Sequence, residues 1–376
     1  MLYFLRNEIM KRIIIPILLI ISVVGCLFGC KTRNSTNEIK KSFDTIFVNV
    51  RATLETDQVP GDTVMDAADD PAIWYNEENP SSSLVFGTDK KGGIMVFNLA
   101  GKLIKYHKTG LPNNIDIRRG FPIGNNRKAD IAGFSNRASN TIEIYEIHAD
   151  GDITSLLPEG HKPNFTGEVY GFCLFHNMKN SEYYAIINSK DGEIEVWKIN
   201  GSSGTISLEF SRSFKTETQP EGMVADDINE ILYVGEEDKG IWRFDLRSKS
   251  PDGPALIIDG AIESNNALKD DIEGLAICYT GEGGYLVASS QGNNSYAIFK
   301  LTGDNSYIGS FRINEGKIDG TEDTDGIDLI NLRLNDTFPN GVFIAQDGKN
   351  TDEKGKTQCQ NFKFVNWNDI LLNLPE

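Results

Sequence analysis

The sequence predicts an all-β fold, a six-bladed β-propeller built from four-stranded antiparallel blades. Six times along the 376 residues, an apolar strand enters a short polar turn and returns as a second apolar strand. These hairpins recur about every 50 residues, which is typical of propeller blades rather than of helical solenoids. An acidic or amide cluster opens another apolar strand ahead of each hairpin. If this strand is the innermost of its blade, its start lies on the same face as the hairpin turn, because successive antiparallel strands alternate ends.

The six hairpin turns carry different polar residues. The first three turns carry cations and the last three carry acidic or amide residues: Lys90 and Lys91, Arg137, Lys190, then Glu237, Gln291 and Asp347. One half of the common face would therefore be basic and the other half acidic. Some of the acids, such as the Asp of Asp347-Gly348, also have a simpler explanation as turn formers.

The clusters that open the inner strands bring the number of carboxylates on this face to roughly a dozen. They stand in the short motifs DAADDPAIW, NNIDIR, EVYGF, EGMVADD, DIEGL and DTDGID. Like charges so close together raise one another's pKa unless a counter-charge is present. Calcium takes about six to eight oxygen ligands, whereas zinc prefers His or Cys. The four histidines are dispersed, so the acidic clusters predict several Ca²⁺ ions as cofactors.

The overall charge limits the classes of partner. The sequence has 37 Lys and Arg against 54 Asp and Glu, a net charge of −17. Such a charge argues against nucleic acid and against an anionic membrane surface as partners. The repeats cover nearly everything after residue 60 without a Pro/Ser-rich linker. One large all-β unit is therefore expected, and we expect it to be a monomer.

The N-terminus has the form of a targeting segment. Lys11-Arg12 precede an apolar stretch that ends at Gly29-Cys30. This arrangement resembles a bacterial lipoprotein signal in which Cys30 carries the lipid. An uncleaved transmembrane anchor is the alternative, although the apolar run is short for one. We expect an extracytoplasmic protein, on the periplasmic or cell-surface side, whose only membrane contact is this lipid. The predicted organisation is a signal over residues 1–30, a tether over 31–42 and the propeller over 43–376.

The opposed charges of the face favour a polyanionic, metal-chelating ligand such as a phosphate ester. Its oxygens would bridge Ca²⁺ on the acidic side and accept hydrogen bonds from Lys and Arg on the other side. A calcium-bound water could attack phosphorus in line, with the cations stabilising the developing charge. Residue spacing by itself leaves hydrolysis and simple binding open.

The motifs above resemble those of the β-propeller phytases, also called alkaline phytases. The resemblance covers roughly residues 60–370 and includes SNR followed by NTIEIY, EEDKGIW, SSQGNNSYAI and AQDGKN. It implies a six-bladed propeller that acts as a 3-phytase-type phosphoric monoester hydrolase. The implied substrates are phytate, myo-inositol hexakisphosphate, or other inositol phosphates as calcium complexes. The resemblance also implies that Ca²⁺ serves both stability and catalysis.

Individual residues match the functional positions of that family. The residues implied for catalysis are Lys90, Arg137, Tyr170 and Glu237. Those implied for phosphate contact are Lys90, Lys91, Arg137, Tyr170 and Lys190. Those implied for calcium binding and water activation are Asp66, Asp69, Asp70, Glu221, Glu237, Asp271, Glu273, Gln291, Asp319, Asp347 and Asn350. Asp89 departs from the family pattern, which often has Asn before the lysine.

Two other functions stay open at this point. A lipid-anchored propeller could capture calcium or inositol phosphates without catalysis, because a fold alone does not imply an activity. A calcium-dependent lactonase-type propeller is the third possibility, but its site would have less need of clustered cations.

A last prediction concerns the way in which the ring closes. The alternating segment FDTIFVNV, residues 43–50, lies outside the six repeats. Pairing of this segment would remove an exposed strand edge. We therefore expect it to close the ring against the C-terminal blade.

Overall fold

The computed structural model describes residues 47–61, 65–247, 255–281 and 283–374, without the side chain of Ile258. The predictions of a signal over residues 1–30 and a tether over 31–42 lie outside the described residues, as does the beginning of the predicted closing segment.

The described strands group into six sheets. Two short strands come first, β1 (Phe47–Arg51) and β2 (Leu54–Glu55). Blade 1 has β3 (Ala68–Trp74), β4 (Leu84–Asp89), β5 (Gly93–Asn98) and β6 (Leu103–Lys108). Blade 2 has β7 (Pro112–Gly124), β8 (Arg127–Asn136), β9 (Thr141–Ile147) and β10 (Ile153–Ser155). Blade 3 has β11 (Val169–Asn177), β12 (Glu182–Ser189), β13 (Glu193–Ser202) and β14 (Thr205–Lys215).

The second half of the ring follows the same order. Blade 4 has β15 (Pro220–Asp226), β16 (Ile231–Glu236), β17 (Gly240–Asp245) and β18 (Ala255–Ala261). Blade 5 has β19 (Ile272–Thr280), β20 (Gly283–Ser290), β21 (Ser295–Lys300) and β22 (Tyr307–Asn314). Blade 6 has β23 (Ile327–Ile330), β24 (Val342–Asp347) and β25 (Asn361–Asn366), and helix α1 (Trp367–Leu371) follows it. Among the described residues, no helix has the length and apolarity needed to cross a membrane.

This arrangement confirms the predicted six-bladed propeller with antiparallel blades. The innermost strand of each blade contacts that of the next, and β23 contacts β3 to complete the circle. Six apolar clusters fill the spaces between neighbouring blades. The alternation along each strand is the reason, because each blade sends apolar side chains to both of its neighbours. Cys173 and Cys278 are buried free thiols in two of these clusters, which agrees with a structural role.

The closure of the ring differs from the prediction. Strand β1 does not pair with the C-terminal blade; it pairs in parallel with β22 and gives blade 5 a fifth strand. The fourth strand of blade 6 is β2, which pairs antiparallel with β25. Backbone hydrogen bonds from Thr53 N to Phe364 O and from Thr56 N to Phe362 O, 2.7 and 2.9 Å long, extend this pairing. The alternation of FDTIFVNV marks an edge strand, but a two-residue strand such as β2 has no sequence pattern that identifies it.

Glycines allow the inner strands to approach one another closely. A Cβ atom on Gly222 would overlap the carbonyl oxygen of Glu273 in the next blade. A Cβ atom on Gly274 would lie within 2.8 Å of the backbone of blade 6, and the Gly274 N–H donates a 2.8 Å hydrogen bond to Asp325 O. Gly171 and Gly326 make the same kind of approach to blades 4 and 1. Each of these glycines directly follows a residue of the polar face.

We predict that Gly222→Ala destabilises the propeller by about 1–3 kcal/mol, because the added methyl group forces two inner strands apart. Gly281→Ala is the matched control, since a Cβ atom there would meet no described atom within 4 Å. Denaturant unfolding of both variants measures the difference. Equal stabilities for the two variants would show that the inner strands are not tightly packed at Gly222.

Candidate functional site

A largely buried lysine connects the first and last blades of the propeller on the polar face. Lys90, in the turn after β4, has its Nζ 3.0 Å from Asp69 Oδ1, 2.8 Å from Asp325 Oδ2 and 3.3 Å from Asp66 Oδ1. Burial alone would lower the pKa of Lys90, but the charges of Asp69, Asp325 and Glu221 raise it above its usual value. Lys90 is therefore a fixed positive charge where blades 1 and 6 meet.

Asp89 holds the turn that carries Lys90. Its Oδ1 accepts a 2.9 Å hydrogen bond from the Lys91 N–H, and its Oδ2 accepts a 2.7 Å hydrogen bond from the Tyr106 hydroxyl. Lys91 extends from the same turn toward solvent, and its Nζ lies 2.6 Å from Asp66 Oδ2. Asp89 stands where the family often has Asn, and its carboxylate shapes this turn through these two hydrogen bonds.

Blades 2 and 3 supply a second group of cations. Arg137 Nε donates a 2.7 Å hydrogen bond to Glu168 Oε1, and Lys190 Nζ lies 3.5 Å from Glu168 Oε2. Lys190 Nζ also lies 4.7 Å from the centre of the Tyr170 ring. The hydrogen bond from Arg137, together with the charges of Arg137 and Lys190, lowers the pKa of Glu168. Glu168 thus neutralises two cations that would be available to an anionic ligand.

Three glutamates from blades 4 and 5 converge beside these cations. Carboxylate oxygens of Glu221, Glu237 and Glu273 all lie within 4.8 Å of one another. Burial, followed by the charges of Glu221 and Asp271, raises the pKa of Glu237 to about 7. Burial and the neighbouring Glu221 also raise the pKa of Glu273 well above its usual range. The cluster therefore places two acids with raised pKa values beside a third carboxylate, that of Glu221.

Neutral side chains bond two of the three glutamates. Asn113 Nδ2 donates a 2.7 Å hydrogen bond to Glu221 Oε1, and Gln219 Nε2 donates a 2.5 Å hydrogen bond to Glu237 Oε1. Burial raises the pKa of Tyr170, and the charges of Glu221 and Glu273 raise it further, so its hydroxyl keeps its proton.

The oxygen atoms of this cluster fit a divalent cation. Glu273 Oε2 and Asn113 Oδ1 are buried and have no hydrogen-bond partner among the described residues. None of the three glutamates forms an ion pair with a Lys or Arg in the described parts of the chain. Carboxylates and amide oxygens are the ligands that calcium prefers. A cation held by the three glutamates would therefore balance their unpaired charges and bond the unpaired Glu273 Oε2.

Asp70, which the resemblance implies as a calcium ligand, is bonded both within blade 1 and to blade 2. Its Oδ2 accepts a 2.9 Å hydrogen bond from the Ile115 N–H of blade 2, and its N–H donates a 2.9 Å hydrogen bond to Thr88 Oγ1. Asp116 and Asp328 make equivalent bonds to the backbone N–H groups of Leu174 and Ile73, at 2.8 and 2.7 Å. Carboxylates of the inner strands thus connect neighbouring blades.

The remaining predicted site residues divide into two groups. Gln291 joins the site, because its Nε2 donates a 2.7 Å hydrogen bond to Asp325 Oδ1. Asp271 lies near Glu237 and has a raised pKa, through burial and through the charges of Asp238 and Asp270. Three predicted calcium ligands are instead gathered around the ammonium group of Lys363: Asp319, Asp347 and Asn350.

Three residues of the site stand in the predicted motifs DTDGID, NNIDIR and EVYGF but were given no individual role. Asp325 bonds both Lys90 and Gln291, Asn113 bonds Glu221, and Glu168 joins Arg137 to Lys190. A sequence signal for Asp325 exists, because it precedes a glycine just as Glu221 and Glu273 do. Alignment of the repeats with one another would have identified it.

Comparisons with known proteins agree with this geometry. The chain is 45% identical over 337 residues to the 3-phytase of Bacillus subtilis (strain 168), covering 87% of this chain and 86% of that protein. Among solved structures, it is similar to the calcium-binding protein regucalcin from Agrobacterium tumefaciens str. C58, at a TM-score of 0.51 and 12% identity, over 85% of this chain and 96% of that one. The second likeness concerns the fold alone. The model of the phytase family matches residues 17–376, and the chain therefore belongs to the phytase family.

Proposed function

We propose that this chain removes phosphate from phytate in a calcium-dependent reaction. The observation that carries the proposal is the convergence of Lys90, Arg137 and Lys190 with the cluster of Glu221, Glu237 and Glu273 on one face. Membership of the phytase family and the 45% identity to a 3-phytase support the same reaction. Calcium and the individual roles below are our inference from the side chains.

The cations would bind the phosphoryl oxygens of the substrate. Glu168 holds Arg137 and Lys190 in position, and it is only partly buried, with its side chain 43% exposed. Phosphate oxygens would replace the carboxylate of Glu168 as the acceptors for these two cations, since charge-assisted hydrogen bonds to phosphate are strong. Lys90 would donate from the opposite side, where Asp69 and Asp325 fix its position.

The glutamates would hold the metal. Calcium bound there would supply positive charge that makes a bound water more acidic and neutralises the substrate. Glu237 is the most accessible of the three glutamates and would orient the attacking water. The Tyr170 hydroxyl stays protonated and would donate a hydrogen bond to a phosphoryl oxygen. These residues would place water and phosphorus in line, and the cations would stabilise the charge of the transition state.

Release of inorganic phosphate from phytate tests the proposal. We expect the purified full chain to release phosphate in the presence of calcium near neutral pH, and to stop when EGTA removes the metal. Phytate binding without phosphate release would favour the capture function instead. Hydrolysis of a lactone in place of phytate would favour the lactonase alternative.

Glu237→Gln should lower kcat by at least about tenfold while changing KM less, because the loss falls on the attacking water and not on phosphate binding. Glu217→Gln is the matched control, since Glu217 is exposed and pairs with Lys239 at the surface. Initial rates of phosphate release at saturating calcium measure both variants. Equal rates for the two variants would remove Glu237 from the reaction.

We further propose that Cys30 is lipidated and holds the protein on the extracytoplasmic side of a bacterial membrane. The basic start, the apolar run and Gly29 before Cys30 support this proposal. Wild-type protein should incorporate labelled palmitate and sediment with membranes, whereas Cys30→Ser should do neither. Label in the Cys30→Ser variant would contradict the proposal.

A further inference from the structure

We propose that Lys363 is the resident cation of blade 6, and that it holds the closing strand β2 in place of a metal ion. This inference concerns the stability of the ring and does not depend on the proposed reaction. It reassigns Asp319, Asp347 and Asn350, which the resemblance implies as calcium ligands.

Lys363 is completely buried and surrounded by oxygen atoms. It lies on β25 directly opposite Glu55 of β2, and its Nζ bonds both Glu55 and Asp319. The same Nζ lies 3.0 Å from Asn350 Oδ1 and 3.3 Å from Asp347 Oδ2. Burial lowers the pKa of Lys363, but the charge of Asp347 and the bonds to Asp319 and Glu55 outweigh it and raise that pKa. The side chain is therefore an ammonium ion enclosed by acids.

Most of the oxygens named around Lys363 are already bonded by protein donors; the exception is Asp347 Oδ2, which is buried, accepts no hydrogen bond from the described residues and lies 3.3 Å from Lys363 Nζ. Asp319 Oδ2 accepts hydrogen bonds from the Thr351 N–H and hydroxyl, at 2.6 and 3.1 Å, and its Oδ1 bonds Lys363. Asp347 Oδ1 accepts 3.2 Å hydrogen bonds from the N–H groups of Glu322 and Lys349. Calcium needs about six to eight free oxygen ligands, and this arrangement offers few.

An ammonium ion and a divalent cation would also compete for the same space. A metal coordinated by Asp319, Asp347 and Asn350 would lie within a few ångströms of Lys363 Nζ, and like charges at that distance repel strongly in a buried site. A second ammonium, that of Lys349, lies 3.2 Å from Glu322 Oε2 and 3.0 Å from Asp323 Oδ2 nearby. This contrasts with the three-glutamate cluster, whose acids pair with no ammonium group among the residues that the structure describes.

The bonds of Lys363 have a direct effect on closure. Strand β2 has only two residues, so few ladder hydrogen bonds hold it. Glu55 gains both the ion pair with Lys363 and a 2.8 Å hydrogen bond from Asn361 Nδ2. The ammonium ion therefore connects β2, β25 and the loop that carries Asp319 without any external ion.

The test uses calcium binding and melting of the full chain. Asp319→Asn should bind as many calcium ions per chain as wild type by titration calorimetry. Its loss in Tm should be equal in EGTA and in saturating calcium, because the lost partner is Lys363. Loss of one bound ion, or a loss in Tm seen only with calcium, would overturn the proposal.

Lys363→Met provides the complementary variant. It should melt well below wild type in EGTA and gain more in Tm from calcium than wild type does, with one additional ion bound per chain. Lys102→Met, which removes an exposed lysine paired with Asp57, is the control and should change neither quantity. If Lys363→Met does not fold, Asp319→Asn decides the question; if it folds with the wild-type Tm and ion count, the proposal is wrong.

Discussion

The close packing of the inner strands is the constraint on which the rest of this structure depends. Glycines such as Gly222 and Gly274 permit one backbone to contact the next with no side chain between them. The residue before each glycine, at the start of an inner strand, then lies close to the equivalent residue of the next blade. Glu221, Glu273 and Asp325 are brought together in this way. A wider ring would separate these acids, and their mutual effect on pKa would fall with distance.

Convergence of acids creates a charge problem that the molecule solves in two ways. The ammonium groups of the largely buried Lys90 and the buried Lys363 neutralise acids. Asp70, Asp116 and Asp328 accept hydrogen bonds from backbone N–H groups of neighbouring blades. The cluster of Glu221, Glu237 and Glu273 has neither solution in the described part of the chain, and burial together with the neighbouring carboxylates raises the pKa values of Glu237 and Glu273. The cluster that lacks an internal counter-charge is thus the one suited to an external cation.

The repeats in the sequence were sufficient to predict the blades and the polar face, because hairpin spacing and strand direction determine both. They were not sufficient to predict which strand closes the ring. Strand β2 is too short to show a pattern, and the alternation in β1 indicates a strand without indicating its partner. Asp325 was placed on the polar face as part of DTDGID but was given no role, although its position before Gly326 repeats that of Glu221 and Glu273. Lys363 could not be identified, because a single lysine within NFKFVN gives no indication that its ammonium group is buried among acids from distant segments.

The pairing of β2 with blade 6 joins residues that are far apart along the chain. Glu55 and Asn361, which bond each other, are separated by 306 positions. The start of the domain therefore has no partner until almost the whole polypeptide has been synthesised, whereas blades 1 to 4 consist of consecutive segments. Contacts of such long range slow folding, because the entropy of closing the loop is lost before the contact forms. The blades made of consecutive segments should thus form first. The N-terminal residues of β2 should be among the last to become ordered.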